Sequence, residues 1–223
     1  LDGYDLGIGT LLPFLGKSDT DRRIMLNSMG PFWDGNEVWL ITAGGATFAA
    51  FPKAYAVMFS GLYTPLMLLL FALIIRGVSL EFRHQVDSPA WRRVWDWGAP
   101  IGSFLPALLL GVAFANIFMG LPLDEKGVFQ GNLLTLLNPY GLAGGVLFVL
   151  LFAMHGALWL AAKSDGDLQQ RAAGLARKLW PVLVVLIGAF VVLTVIYTNL
   201  LANYLTNPLL LVLLVAPVLA LLL

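Results

Sequence analysis

Apolar residues in this chain come in long blocks, not in the alternation of half-buried strands. Blocks run over Leu1–Leu15, Trp33–Phe51, Ala54–Ile75, Trp97–Met119, Pro139–Ala162, Trp180–Leu201 and Pro208–Leu223. The complete interior blocks hold about 19–24 residues, or roughly 28–36 Å at the α-helical rise, enough to cross a bilayer. Phe51-Pro52-Lys53 forces a break between the second and third blocks, because proline ends or kinks a helix. The pattern predicts an all-α polytopic transmembrane helical bundle: the end of a first span, then about six full spans. Residues 1–223 read as one transmembrane domain. Leu1 is no initiator methionine and the last block runs to the final residue, so the chain is expected to be a fragment of a longer subunit lacking both ends.

Charge gives these spans a direction. Eleven of the 13 Lys and Arg residues fall in the connections 17–32, 76–96 and 163–179, all on one side of the predicted topology. Lys53 and Lys126 alone lie on the other. The positive-inside rule assigns the arginine-rich side to the cytoplasm. Asp19-Thr20-Asp21 before Arg22 predicts a short interfacial helix leading into the second span.

Composition agrees. Of 223 residues, 59% are hydrophobic and 12% are charged, against about a quarter charged in soluble domains. Net charge is zero, which removes the driving force for a nucleic-acid partner. Without cysteine there is no disulfide, thiolate metal site or cysteine nucleophile. Most of the seven tryptophans fall near predicted span ends, as in an aromatic belt. Gly3, Gly7 and Gly9, Gly44/Gly45 with Ala49, and Gly98 with Gly102 are small-residue seams that let membrane helices approach closely.

Ionisable groups inside spans are expensive and call for a role. Asp2 and Asp5 on the first span, and Asp34 and Glu37 at the start of the second, are i, i+3 pairs, so each pair shares a helix face. With Arg76 at the end of the third span and Asp96 opening the fourth, six charged groups are expected at one membrane level. Crowded carboxylates beside a guanidinium can load protons. Plainer roles compete: Asp34-x-x-Glu37 has capping-box spacing, Asp96 can cap its helix, and Arg76 can reach back to the interface. His155 is the only histidine within a span, so a bis-histidine haem cannot be built here; pairing with Met154 or Met119 is the weaker alternative to a histidine simply facing its neighbour helix. No metal site is expected.

Specific strings carry a family likeness. Asp2-Gly3-Tyr4-Asp5-Leu6-Gly7-Ile8-Gly9, Asp21-Arg22-Arg23-Ile24-Met25-Leu26-Asn27-Ser28 and Trp33-Asp34-Gly35-Asn36-Glu37-Val38-Trp39 resemble subunit II of cytochrome bd-type quinol oxidases. So do Arg76, Glu81-Phe82-Arg83, Trp95-Asp96-Trp97-Gly98 and Asn138-Pro139-Tyr140-Gly141. The resemblance implies an accessory subunit in the bacterial cytoplasmic membrane. It would stabilise a haem-bearing subunit I in a complex that oxidises quinol and reduces dioxygen. Haems b and d would belong to that partner and none to this chain, with a structural quinone possible here. The resemblance makes Asp34 the family's proton-route acid. Asp34, Glu37 and Asp5, continued by Asn36 and Thr42, are the candidate cytoplasmic proton path. Trp33, Arg76 and Asp96 are candidate indirect supports of a haem or quinone site. Phe32 stands where some members have histidine, so a relay through that histidine does not apply. The alternatives are a proton-coupled secondary transporter and a purely structural membrane partner without a proton path.

Overall fold

The computed structural model describes residues 2–206. Ten helices follow in order: α1 (Gly3–Leu15), α2 (Asp19–Met29), α3 (Trp33–Ala50), α4 (Pro52–Gly61), α5 (Tyr63–Phe82), α6 (Pro89–Met119), α7 (Leu133–Leu136), α8 (Pro139–Lys163), α9 (Gly166–Tyr197) and α10 (Leu200–Thr206). One isolated bridge, Leu123 with Phe129, is the extended pairing among the described residues. The protein is an all-α polytopic membrane bundle. Four helices, α5, α6, α8 and α9, are long and apolar enough to cross a membrane. The expected block Pro208–Leu223 lies outside the described residues.

Boundaries of three spans differ from expectation, α9 among them, which runs over Gly166–Tyr197 where Trp180–Leu201 was expected. The block Ala54–Ile75 is not one helix. It breaks at Leu62, because Pro65 in the next turn lacks an amide hydrogen and its ring opposes the carbonyl four residues back. α5 then runs on to Phe82, so Arg76 lies six residues inside the helix and not at its end. α6 begins at Pro89, eight residues before the expected Trp97. Proline supplies a preset first-turn φ there. Asp96 therefore sits two turns inside α6 and does not cap it.

The core is the trio α1, α6 and α8, with α5 packed on α6 and α9 on α8. Glycine makes the closest crossing possible. A Cβ on Gly7 would run into the Phe152 carbonyl of α8, and one on Gly156 would run into the Gly7 backbone. Tyr4, Ile8, Leu12, Leu15, Met25, Met29, Ala157 and Leu160 close a dry cluster between α1, α2 and α8. α3 is different: none of its 18 residues is buried, and its apolar side chains, including Trp39, Ile41 and Phe48, face outward. It sits at the bundle edge and reaches the interior through Trp33, Asn36, Glu37 and Leu40 on one side.

Candidate functional site

Asn36 and Glu37 of α3 meet α1 and α5 in a buried cluster. Asp5 and Arg76 are fully buried, and Asp2 is 9% exposed. The Arg76 Nη1 donates to Glu37 Oε1 at 2.5 Å, and Nη2 lies 3.5 Å from Asp2 Oδ1, an ion pair without hydrogen-bond geometry. Asn36 Nδ2 donates both to Asp5 Oδ2 at 2.6 Å and to the Tyr4 hydroxyl at 2.8 Å. The Trp33 ring lies over Arg76, its centroid 6.0 Å from the guanidinium carbon, in a cation–π arrangement. Gly102 makes room for this. A side chain there would collide with the Arg76 backbone and Cβ, so α6 could not close over α5.

Glu37 and Asp2 thus share one guanidinium, while Asp5 beside them is held by Asn36. Both Asp2 oxygens, Asp5 Oδ1, and Arg76 Nε and Nη2 are buried without a hydrogen-bond partner. Buried polar atoms are normally satisfied by protein or ordered water. Protein groups alone leave this cluster incompletely hydrogen-bonded.

A second network occupies the arginine-rich end. Arg83, with its side chain 1% exposed, donates from Nη2 to Asp19 Oδ1 at 2.7 Å and from Nε to Asp96 Oδ1 at 2.6 Å. Arg22 Nη1 holds the other Asp96 oxygen at 2.6 Å, while its Nε donates to the Gly16 carbonyl. Arg171 of α9 donates to Asp21 Oδ2 at 2.8 Å and to the Leu15 carbonyl. These bonds fasten α2, whose N-terminus carries a Ser18–Asp21 capping box, across the ends of α1, α5, α6 and α9. The hydrogen bond from Arg83 holds the Asp19 carboxyl below its ordinary pKa, and that from Arg171 does the same for Asp21. Burial, reinforced by the Arg83 charge, lowers the imidazole of His84.

The expected single cluster of six is therefore two. Asp2, Asp5, Glu37 and Arg76 come together, with Trp33 above. Asp96 belongs to the second network, held by Arg22 and Arg83. Asp34 joins neither: it is exposed, and its carboxylate accepts from the amide of its neighbour Gly35. Glu37 is no capping residue, since it reaches for Arg76, and Arg76 does not reach for water. Asn36 links to the buried cluster, but Thr42 is exposed and donates to the Val38 carbonyl of its own helix. Sequence reasoning missed Tyr4 and the partners of Arg83. The Tyr4 ring stacks on Trp159 at 4.1 Å and meets His155 edge-on. Its place one residue before Asp5 was the available signal.

The His155–Met154 pairing considered for a haem does not form. His155 lines a cavity of about 380 Å³ beside Asp2, Gly3 and Phe152, whereas Met154 lines a different groove, against α9. The two cannot converge on one iron. Among the described residues no group of three or more metal-ligating side chains comes together.

Fold and site define a class: a polytopic all-α membrane protein organised around charged side chains between its helices. The family model described as Cytochrome bd terminal oxidase subunit II matches residues 1–223. The chain belongs to that family. It is 49% identical over 175 residues to the Probable cytochrome oxidase subunit 2 of Haemophilus influenzae, covering 77% of this chain and 46% of that protein. It is 48% identical over 180 residues to the Cytochrome bd-I ubiquinol oxidase subunit 2 of Escherichia coli K12, covering 79% and 48%. With the Cytochrome bd ubiquinol oxidase subunit 2 of Bacillus subtilis it shares 43% over 199 residues, covering 89% and 59%. The chain spans about half the length of the curated relatives it matches.

Proposed function

We propose that this chain is part of the haem-free accessory subunit of a quinol-oxidising, dioxygen-reducing complex in the bacterial cytoplasmic membrane. It stabilises a haem-bearing subunit I and delivers protons from the cytoplasm towards that partner's oxygen-reduction site. Family membership supports the complex. The buried group of Asp2, Asp5, Glu37 and Arg76, with five unsatisfied polar atoms, carries the proton role. The partner's haems would supply electron transfer and cleavage of the oxygen–oxygen bond.

Each residue has a defined part in this reading. Asp34, exposed on the edge helix, is the acceptor that meets the outer proton supply. Glu37 and Asp5 store protons behind it. Asn36 holds Asp5 by a 2.6 Å bond, and its second bond orients Tyr4. Water carries the proton between Asp34 and the buried group, since no side chain bridges them. Arg76 keeps the net charge of the carboxyls low, and Trp33 shields its cationic face. Asp96 acts at a distance, by anchoring α6 to α2. Oxygen consumption by the Asp34→Asn complex, at unchanged haem content, tests this. The reading expects turnover to fall about tenfold or more, as for loss of a positioned proton-transfer group. Wild-type turnover across the neutral pH range would leave only the structural role, which the isolation of Asp34 from the cluster favours.

A further inference from the structure

A cavity of about 480 Å³ opens at the arginine-rich end between α1, α2 and α6, lined by Leu12, Pro13, Arg22, Arg93, Asp96 and Trp97. Its rim is cationic. Both Asp96 oxygens are occupied, one by Arg22 and one by Arg83. Arg93 is exposed and forms no ion pair among the described residues. The lining thus carries two guanidinium groups against one carboxylate that is already paired twice.

Leu12, Pro13 and Trp97 form the apolar side of the cavity, and an exposed apolar stripe runs on from it along α6. From Arg93, Trp97 follows at i+4, Ile101 four residues later and Phe104 three beyond that, one stripe along α6. These three side chains are 59%, 55% and 43% exposed. Phe14, next to the lining residue Pro13 on α1, is 72% exposed. A cation at the membrane boundary above a tryptophan and a run of lipid-facing side chains suits one molecule with an anionic head and an acyl tail.

We propose that this cavity binds an anionic phospholipid, with its phosphate between Arg22 and Arg93 and an acyl chain along Trp97, Ile101 and Phe104. A zwitterionic lipid fits less well. Its own cation cancels the phosphate charge and would stand beside the Arg22 and Arg93 guanidinium groups. A free phosphate would leave the apolar stripe unused. The site depends only on the chain lying in a membrane, not on the oxidase reading, and its test reads bound lipid instead of turnover.

The complex containing the full-length subunit is reconstituted in nanodiscs of equal phosphatidylglycerol and phosphatidylcholine. It is then extracted with mild detergent and its retained lipid counted by native mass spectrometry. Retention of phosphatidylglycerol over phosphatidylcholine is expected. Arg93→Gln should lower it about fivefold, the effect of one cation near a charged membrane surface, and Arg93→Lys should keep most of it. Trp97→Ala, which changes no charge, should also weaken retention. Equal retention of the two lipids, or wild-type retention in both Arg93→Gln and Trp97→Ala, overturns the site. So does displacement of the lipid by inorganic phosphate, which marks a soluble-anion pocket. A complex that retains no lipid there, its cavity covered by another subunit, overturns it as well.

Discussion

The two charge networks use the same residue types and end up in opposite states. At the arginine-rich end, Arg83, Arg22 and Arg171 meet Asp19, Asp96 and Asp21 in pairs, and Arg83 Nη1 is the one nitrogen of that network left buried and unbonded among the described residues. Around Arg76, two carboxyls share one cation, a third is held by Asn36, and five polar atoms are buried without a protein partner. A satisfied network rigidifies what it joins; an unsatisfied one is unstable unless something else supplies the missing bonds. Here the first clamps an interfacial helix to the bundle. The second is left incomplete by its protein partners, as the proposed proton role requires.

Removing the central arginine of each network should separate them. Arg76→Ala leaves Asp2, Asp5 and Glu37 buried with no cation, and breaking a buried pair in this way costs about 3–5 kcal/mol. Lower yield and haem retention of the purified complex, read from its optical spectrum, are the expected outcome. Arg83→Ala should cost less, because the Asp19 side chain, 47% exposed, can return to water. Limited proteolysis should then cut residues 16–32 faster, while turnover per assembled complex stays at the wild-type value. An Arg83→Ala complex with slowed turnover and an intact α2 would erase the distinction.

The fold was legible where composition alone decides it. Long apolar blocks announced the helices, and α3 and α8 begin at the expected Trp33 and Pro139. Boundaries failed where local chemistry competes with hydropathy. Pro65 restarts a helix inside one apolar block, and α6 and α9 begin in polar sequence, at Pro89 and Gly166, that hydropathy does not count as span. The site was half legible. Spacing on a helix correctly joined Asp2 with Asp5, since that pairing is local. Spacing could not say that Glu37 turns inward while Asp34, three residues earlier, turns outward. It also could not say that Asp96 meets Arg22 and Arg83 and not Arg76. Those choices depend on how helices distant in sequence are rotated against one another.

Smaller effects sharpen the contrast. Asn36→Leu removes the donor shared by Asp5 and Tyr4, at a cost of about 1–3 kcal/mol for the stranded polar groups. Thermal unfolding of the complex should register it, whereas Thr42→Val, on the exposed side of the same helix, should not. Acid should reach the clamp only at low pH. Asp19 and Asp21 have folded-state pKa values below the ordinary carboxylate value. Their contribution is therefore complete above about pH 4 and is lost as pH falls through the lower folded values. Hydrogen exchange of α2 should stay slow on acidification to that point and rise below it. Exchange that rises already near neutrality would contradict the ion-pair account.

The central claim is that the carboxyls around Arg76 change protonation while the complex works. Infrared difference spectroscopy of the complex, recorded between its oxidised and reduced states, observes the carboxylic C=O stretch directly. A carboxyl band that is weakened or shifted in Asp5→Asn and Glu37→Gln, yet unchanged in Asp19→Asn, is the predicted result. Wild-type carboxyl bands in both Asp5→Asn and Glu37→Gln would show that the buried cluster holds its protons fixed, and would contradict the account.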